Sequence, residues 1–570
     1  MAAILIAAGL LVAAAAPPEV AWVTGNGIVY AGLDAEGRMA QLNWPGPGAP
    51  NHWGGGGWLM REGKSWRALG SSARTGYEAP DSVVLEARFE TNDPGRYAVQ
   101  RVFALPDVAV VAVALSLQGY PRDMRVAWRQ QIEPVTSRTP GGESLGAQPA
   151  GRRGFATYYD PERQSATDFR PRAPGRDTWA RAHSLAAAEA PASSWRAFDD
   201  GVYWEAMPLN PVACASVAPA GEFESQPAAG EDTRTAVVGP AYAEWVLEPV
   251  YEGDRAVYTM LLGAGEDARA AAAAIDGVQA ARPLTEDAGA AWLSMAPASL
   301  SAGARRDLLD LLICVDRASG ALVSSPVSIP SGDTVSVFDT AWAVAALDGA
   351  GYTDLAGGAL DFLIDRVRLD SRSGYPAGSL PAEFYTAGMR ARLDRPAAPE
   401  SAAWLLAAAW RHCAHLGPEA GAAWAARADA ALAACAGFLA RDPGAGRVLR
   451  GGAASETVSM ALLKTQYLGL ESARLLGELR GKPEPGVCAD RREELYSRIR
   501  FRQLNRDEEQ AGEAPWAALW VRTMDSGSGL SRWDVLLEGW EGGNMPAAEG
   551  PWPESAPSAL RAALRLLAAP

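Results

Sequence analysis

The chain has 570 residues, of which 48% are hydrophobic and 21% charged, and carries a formal net charge of −15. That length predicts two large domains, and the composition is globular and excludes intrinsic disorder. The acidic balance repels phosphate backbones, argues against nucleic acid as a partner and suits a neutral ligand.

Met1 to Ala16 is almost entirely Ala, Ile, Leu and Val, and Pro17-Pro18 stops the run. It has the length of a signal-peptide apolar region without the usual preceding Lys or Arg, and predicts export to the cell envelope or beyond. It is too short for a transmembrane span, and no later segment reads as one. From Val20 to about Gly265, short apolar runs at period two alternate with Gly, Pro, Asn and Asp. Ile28 to Tyr30, Ser82 to Leu85, Val108 to Leu117 and Tyr242 to Val250 read as antiparallel strands, with Asp93-Pro94-Gly95 as a turn. Gly54 to Gly57 reads as a flexible loop between Trp53 and Trp58; no helix follows it, so it is not a phosphate cradle.

From about Arg269 the texture is helical. Gly303 to Ser319, Thr340 to Leu347, Asp354 to Val367, Ala402 to His415, Ala422 to Ala440, Glu456 to Leu479, Arg491 to Phe501 and Ser558 to Leu567 carry Ala and Leu at helical spacing. Glu286 to Leu293 reads as a bridging helix. Residues 1–17 are thus an apolar N-terminal segment, 18–283 an antiparallel β-sandwich and 284–570 a helical domain of close-packed hairpins.

Cys214, Cys314, Cys413, Cys435 and Cys488 are odd in number and widely spaced, which predicts buried inert thiols rather than disulfides or a zinc cluster. His412 and His415 lie three apart on a helix with no obvious partner ligand, so a solvated or capping role is expected, with no metal and no cofactor. No P-loop, nucleophile elbow or Rossmann glycine pattern is present. The 20 Trp are read first as core, and in excess as platforms for the apolar face of a pyranose.

A collinear series of motifs adds to this reading. Gly25-Asn26-Gly27 with Asp34 and Gly37, Asn51-His52-Trp53, Tyr158-Tyr159-Asp160-Pro161, Trp195-Arg196 with Asp199-Asp200-Gly201, Asn210-Pro211, Asp339 to Tyr352 and Ala398 to His412 resemble, in order, segments of bacterial and archaeal glucoamylases of the six-hairpin glycosidase superfamily. The resemblance implies a β-sandwich followed by an (α/α)6 toroid that acts on or binds α-glucans or other oligosaccharides. It also implies inverting exo-hydrolysis by two carboxyl groups about 6.5–9.5 Å apart, an acid and a water-activating base.

Carried onto this chain, the resemblance makes Glu456 the acid and Glu549 the base, with Glu541 and Glu554 as alternatives to Glu549. Asp339 is the acidic half of a sugar clamp whose usual Arg partner is missing from Val337-Phe338-Asp339. Glu400, Trp342 and Trp540 complete the expected saccharide site. Glu456 and Glu400 are equally readable as first-turn carboxylates that favour a helix dipole. The displaced acid and base motifs leave a catalytically degenerate glycan binder open. A disaccharide phosphorylase, which needs one carboxylic acid and phosphate, also stays open.

Overall fold

A computed structural model describes residues 20–47, 49, 51–62, 65–132, 156–160, 164–171, 201–219, 236–238, 241–280, 288–294, 296–327, 334–371, 375–386, 390–391, 399–441, 460–504, 520 and 558–568. The expectations on Met1 to Ala16, Trp195 to Asp200, Glu456, Trp540, Glu541, Glu549 and Glu554 lie outside the described residues.

The N-terminal region is antiparallel sheet. One sheet runs in the order Val212–Pro219, Ala241–Leu247, Val126–Ile132, Trp53–Glu62, Ser65–Ala68. The second runs Ala236–Val238, Ala156–Asp160, Ser165–Pro171, Gly201–Pro208, Arg255–Gly265, Val110–Gln118, Tyr97–Ala104, Leu85–Glu90, Arg74–Tyr77, with Val250–Glu252 on Arg255–Gly265. Trp58, Trp128 and Trp245 are cross-strand neighbours in the first sheet and fully buried. They share one core with Leu85, Val113 and Met260 of the second. A contact of 6.4 Å between the rings of Trp58 and Tyr258 crosses between the sheets.

Gly54 to Gly57 is not a loop. It is the start of the strand Trp53–Glu62 and pairs with Arg129, Gln130 and Gln131. Gly55, Gly56 and Gly57 have φ of +145°, +116° and +140°, and a Cβ on Gly56 would sit 2.2 Å from the Arg129 carbonyl. Only glycine fits a ladder at that approach.

The motif residues of this region are structural. Asn26 Nδ2 donates to the carbonyls of Leu105 (2.6 Å) and Val108 (2.7 Å), and its Oδ1 accepts from Ile28 and Val29. Asn51 bridges Leu42, Trp53 and Ala40. His52 is buried and accepts from Trp204 Nε1 at 2.6 Å. Asn210 ties the carbonyls of Glu248 and Val257 to the Thr259 amide. A third sheet, Val20–Gly25, Tyr30–Asp34 and Met39–Asn43, faces the helical region. Across that face Gln41 donates to the Pro326 carbonyl at 2.7 Å and Tyr30 to the Val315 carbonyl at 3.3 Å.

The helices are α1 (Ala268–Ala280), α2 (Ala288–Leu293), α3 (Ala302–Ile313), α4 (Val337–Gly349), α5 (Thr353–Ile364), α6 (Pro399–Leu416), α7 (Pro418–Arg427), α8 (Asp429–Arg441), α9 (Met460–Leu479), α10 (Gly486–Leu504) and α11 (Ala559–Ala568). α1 packs on Arg255–Gly265, whereas α3 to α11 share a separate core. Within that core α11, α4, α6 and α9 lie side by side.

α4 and α6 are parallel, since Phe338 meets Trp404 near their starts and Asp348 meets His412 near their ends. α6 and α9 run the same way: Gly469 sits against Ala403, and Arg480 acts on Cys413. α3 is antiparallel to α11, with Asp307 on Arg565 and the α3 C-terminus at the α11 N-terminus. The backbones of α6 and α9 nearly touch, because a Cβ on Gly469 would come within 2.6 Å of the Ala403 Cα. That contact explains the Ala and Gly of these helices.

Two helical expectations need correction. Ala422 to Ala440 is not one helix but the pair α7 and α8, bent by 77°. Gly417, at φ +85°, and Pro418 start α7, and Asp429 opens α8, where Arg480 and Lys482 hold its carboxylate below its ordinary range. His412 is neither solvated nor a cap. It is 2% exposed, lies 3.0 Å from Asp348, also 2% exposed, and meets the Trp424 ring edge-on at 5.3 Å. His415 is exposed. All five cysteines are free, and four of them are buried. No single helix among the described residues is long and apolar enough to cross a membrane.

Gly56→Ala drives a methyl into the Arg129 carbonyl and should lower stability by about 1–3 kcal/mol. Gly70→Ala, which meets nothing within 4 Å, should lie within about 0.5 kcal/mol of the parent. Urea midpoints compare the two, and equal midpoints would refute the close approach.

Candidate functional site

The candidate site lies where α4, α6, α9 and α11 begin. Ser336 caps α4: its hydroxyl accepts from the Asp339 amide at 3.2 Å, which seats Asp339 in the first turn. Ser324 then organises the end. Its hydroxyl donates to Asp339 Oδ2 at 2.6 Å, its amide donates to the Thr334 carbonyl, and its carbonyl accepts from the Ala559 amide that starts α11. The short strand Thr334–Ser336 pairs with Glu383–Tyr385, opposing Ser336 to Glu383. Asp339, Ser324, Glu383 and the α11 N-terminus therefore meet at one point.

Asp339 is half-buried: part of its surface reaches solvent, yet surrounding protein dominates its ionisation. Burial pushes its carboxyl up to about 6 and Glu383 adds to the rise, while Ser324 and Ser336 oppose it by hydrogen bonding. A carboxyl set there titrates near neutrality, a property common at functional sites.

Beside Asp339 is an aromatic cluster. Phe338 and Trp404 meet at 5.1 Å, Trp342 and Trp520 at 4.9 Å, and Trp404 and Trp520 at 5.5 Å, all edge-on. The Arg411 guanidinium lies 5.4 Å from the Trp520 ring. Trp342 is fully buried, so it supports the site from within and shows no face to solvent. Glu400 is half-buried in the first turn of α6, at the same end as Asp339 on the neighbouring parallel helix.

Of the six residues expected from sequence, Asp339 and Trp342 lie on α4 and Glu400 lies in the first turn of the neighbouring α6; Glu456, Glu549 and Trp540 lie outside the described residues. Ser324, Glu383, Phe338, Trp404 and Trp520 were not foreseen. The nearest local signal is the spacing Ser336-x-x-Asp339, a helix-start pattern that marks the turn and reveals none of the five. Among the described residues no group of three His, Cys, Asp or Glu has a metal-holding arrangement.

No protein-family model and no curated protein matches the sequence. Solved structures do match. A bacterial glucoamylase complexed with acarbose aligns with a TM-score of 0.60 at 11% identity, over 85% of this chain and 67% of the glucoamylase. A kojibiose phosphorylase from the human microbiome aligns at 0.46 and 7% identity, over 83% and 65% of the two chains. An inverting mannosidase from Bacteroides thetaiotaomicron aligns at 0.42 and 12% identity, over 84% and 60%. The last two scores are too low to say more of this chain. The chain spans about two thirds of the glucoamylase's length, and the likeness shows that it shares that structure's fold, with an antiparallel sheet region followed by a helical region. At 11% identity fold does not carry chemistry with it.

The pH dependence of stability tests the Asp339 environment. Its folded value of about 6 lies above the ordinary 3.8, so the folded state holds an extra proton between those values. That contribution is complete below about pH 4 and is lost as pH rises through 6, up to about 3 kcal/mol for a two-unit shift. Asp339→Asn should gain on the parent by up to that amount between pH 4 and 7 in urea midpoints. Asp307, also pushed up to about 6 by burial, titrates in both proteins and cancels. Identical pH profiles would contradict the burial of Asp339.

Proposed function

We propose that the chain is a saccharide-binding protein of glycosidase type. It takes the terminal sugar of an α-glucan or other oligosaccharide at the end where α4, α6, α9 and α11 begin, and hydrolyses the linkage with inversion. The row of parallel helices is read as an arc of a closed (α/α)6 toroid. The observation that carries this reading is Asp339: a half-buried carboxyl, braced by Ser324 beside an aromatic cluster, on the surface of a glucoamylase-like fold. A carboxylate has about four acceptor sites. With Ser324 on one, Asp339 can still accept from sugar hydroxyls.

Glu456 precedes the start of α9 and Glu549 the start of α11, and both helices begin at the Asp339 end. This supports Glu456 as the acid that protonates the leaving oxygen and Glu549 as the base that activates water. Glu400, Trp342 and Trp540 shape the sugar site, with Trp342 acting from beneath.

One observation favours a second reading, in which the site binds without turnover. The sequence Val337-Phe338-Asp339 lacks the clamp's Arg, and among the described residues Asp339's ionisation is set by burial first, then by Ser324, Glu383 and Ser336.

Glucose release from maltooligosaccharides decides between the two. Glu456→Gln and Glu549→Gln should each lower the rate by about 10²–10⁴-fold, and Asp339→Asn should weaken binding. Release that survives both replacements would overturn the acid–base assignment. Binding without release would favour the second reading, and release that requires added inorganic phosphate would make the protein a phosphorylase.

A further inference from the structure

The sheet region carries a cavity of about 170 Å³ that the site above does not use. It opens between the turn that follows Val110–Gln118 and the hairpin joining Val250–Glu252 to Arg255–Gly265. Buried Tyr258 forms part of its floor, and Tyr120 and Tyr251 form walls.

Two hydrogen bonds lock the rim across the opening. Gln118 Nε2 donates to Asp254 Oδ2 at 2.6 Å, and the Tyr251 hydroxyl donates to the Arg122 carbonyl at 3.2 Å. The Arg122 guanidinium also lies 5.5 Å from the Tyr251 ring. Two loops far apart in sequence are thus held at a set spacing around an open space, the preformed state that a small-ligand site needs.

The chemistry of the rim selects the ligand. Asp254 and Arg122 bring opposite charges, so the site gains nothing from a net ion. Together with Gln118 they offer donors and acceptors to hydroxyl groups. Tyr251 is 44% exposed, a large ring that reaches solvent even with the Arg122 guanidinium over it. A flat ring for C–H faces with hydroxyl partners at its edge is the pattern that fits a pyranose. We infer that this cavity is a second, non-catalytic saccharide site that holds one α-linked glucose unit. The choice of glucose rests on the function proposed above; the site itself stands on the sheet region's own geometry.

The test is equilibrium titration of the full chain with maltotriose in the Asp339→Asn background, where the helical-domain site is weakened. Binding should persist there, and adding Tyr251→Ala should weaken it about tenfold or more. Asp254→Ala, at an exposed rim position, should weaken it in the same direction without lowering the urea midpoint. No binding by the Asp339→Asn chain, or binding that Tyr251→Ala leaves unchanged, would overturn the inference. A parent chain that releases no glucose but binds maltotriose through Tyr251 would fail the hydrolytic reading alone.

Discussion

The candidate site turns on one part-buried contact, the hydrogen bond from Ser324 to Asp339. Bringing a carboxyl into a protein-lined position costs several kcal/mol unless partners answer it. Here two serine hydroxyls and the start of a helix answer it only in part, and the carboxyl remains lifted to about 6. Ser324 can do this because its backbone is fixed on both sides, to Thr334 and to the first amide of α11. The loop that carries it is gripped from the other direction by Gln41 and Tyr30 of the small three-stranded sheet. The sheet region therefore acts on the helical site at a distance, by holding the loop that holds the serine.

The helical packing serves the same end. Parallel helices bring their positive N-termini together, and small residues let the axes approach until Gly469 meets Ala403. The buried pair His412–Asp348 fastens α4 to α6 at the opposite end. Held at both ends, the two helices keep Asp339 and Glu400 on one side. A carboxyl kept neutral more readily than solvent would allow weakens the fold at neutral pH, a strain tolerated where a site needs it.

Local pattern reached the order of the fold, an antiparallel sheet region followed by a helical region. Period two marked the strands and Ala-rich helical spacing marked the helices, because both signals depend on which face each residue buries. Asp339 was singled out only through the resemblance of its segment to the glucoamylase sugar clamp. The misreadings have a common cause. Gly54 to Gly57 looked like a loop because glycine weakens strands in general, and nothing local shows that a neighbouring carbonyl lies too close for a Cβ. Ala422 to Ala440 looked continuous because Asp429 is an ordinary helix residue until Arg480 and Lys482 reach it from the turn after α9. His412 looked solvated because Asp348 lies 64 positions away.

By itself the sequence determined two regimes of secondary structure, the acidic balance and the burial of four of the five thiols, since each follows from composition or from neighbours a few residues apart. Tertiary structure alone decided that Ser324 braces Asp339 and that Phe338, Trp404 and Trp520 gather with Trp342. It also decided that the asparagines and histidine of the N-terminal motifs are structural ties. Hydrogen bonds and ring contacts between distant segments depend on distances that exist only after the chain has closed on itself, and no local period records them.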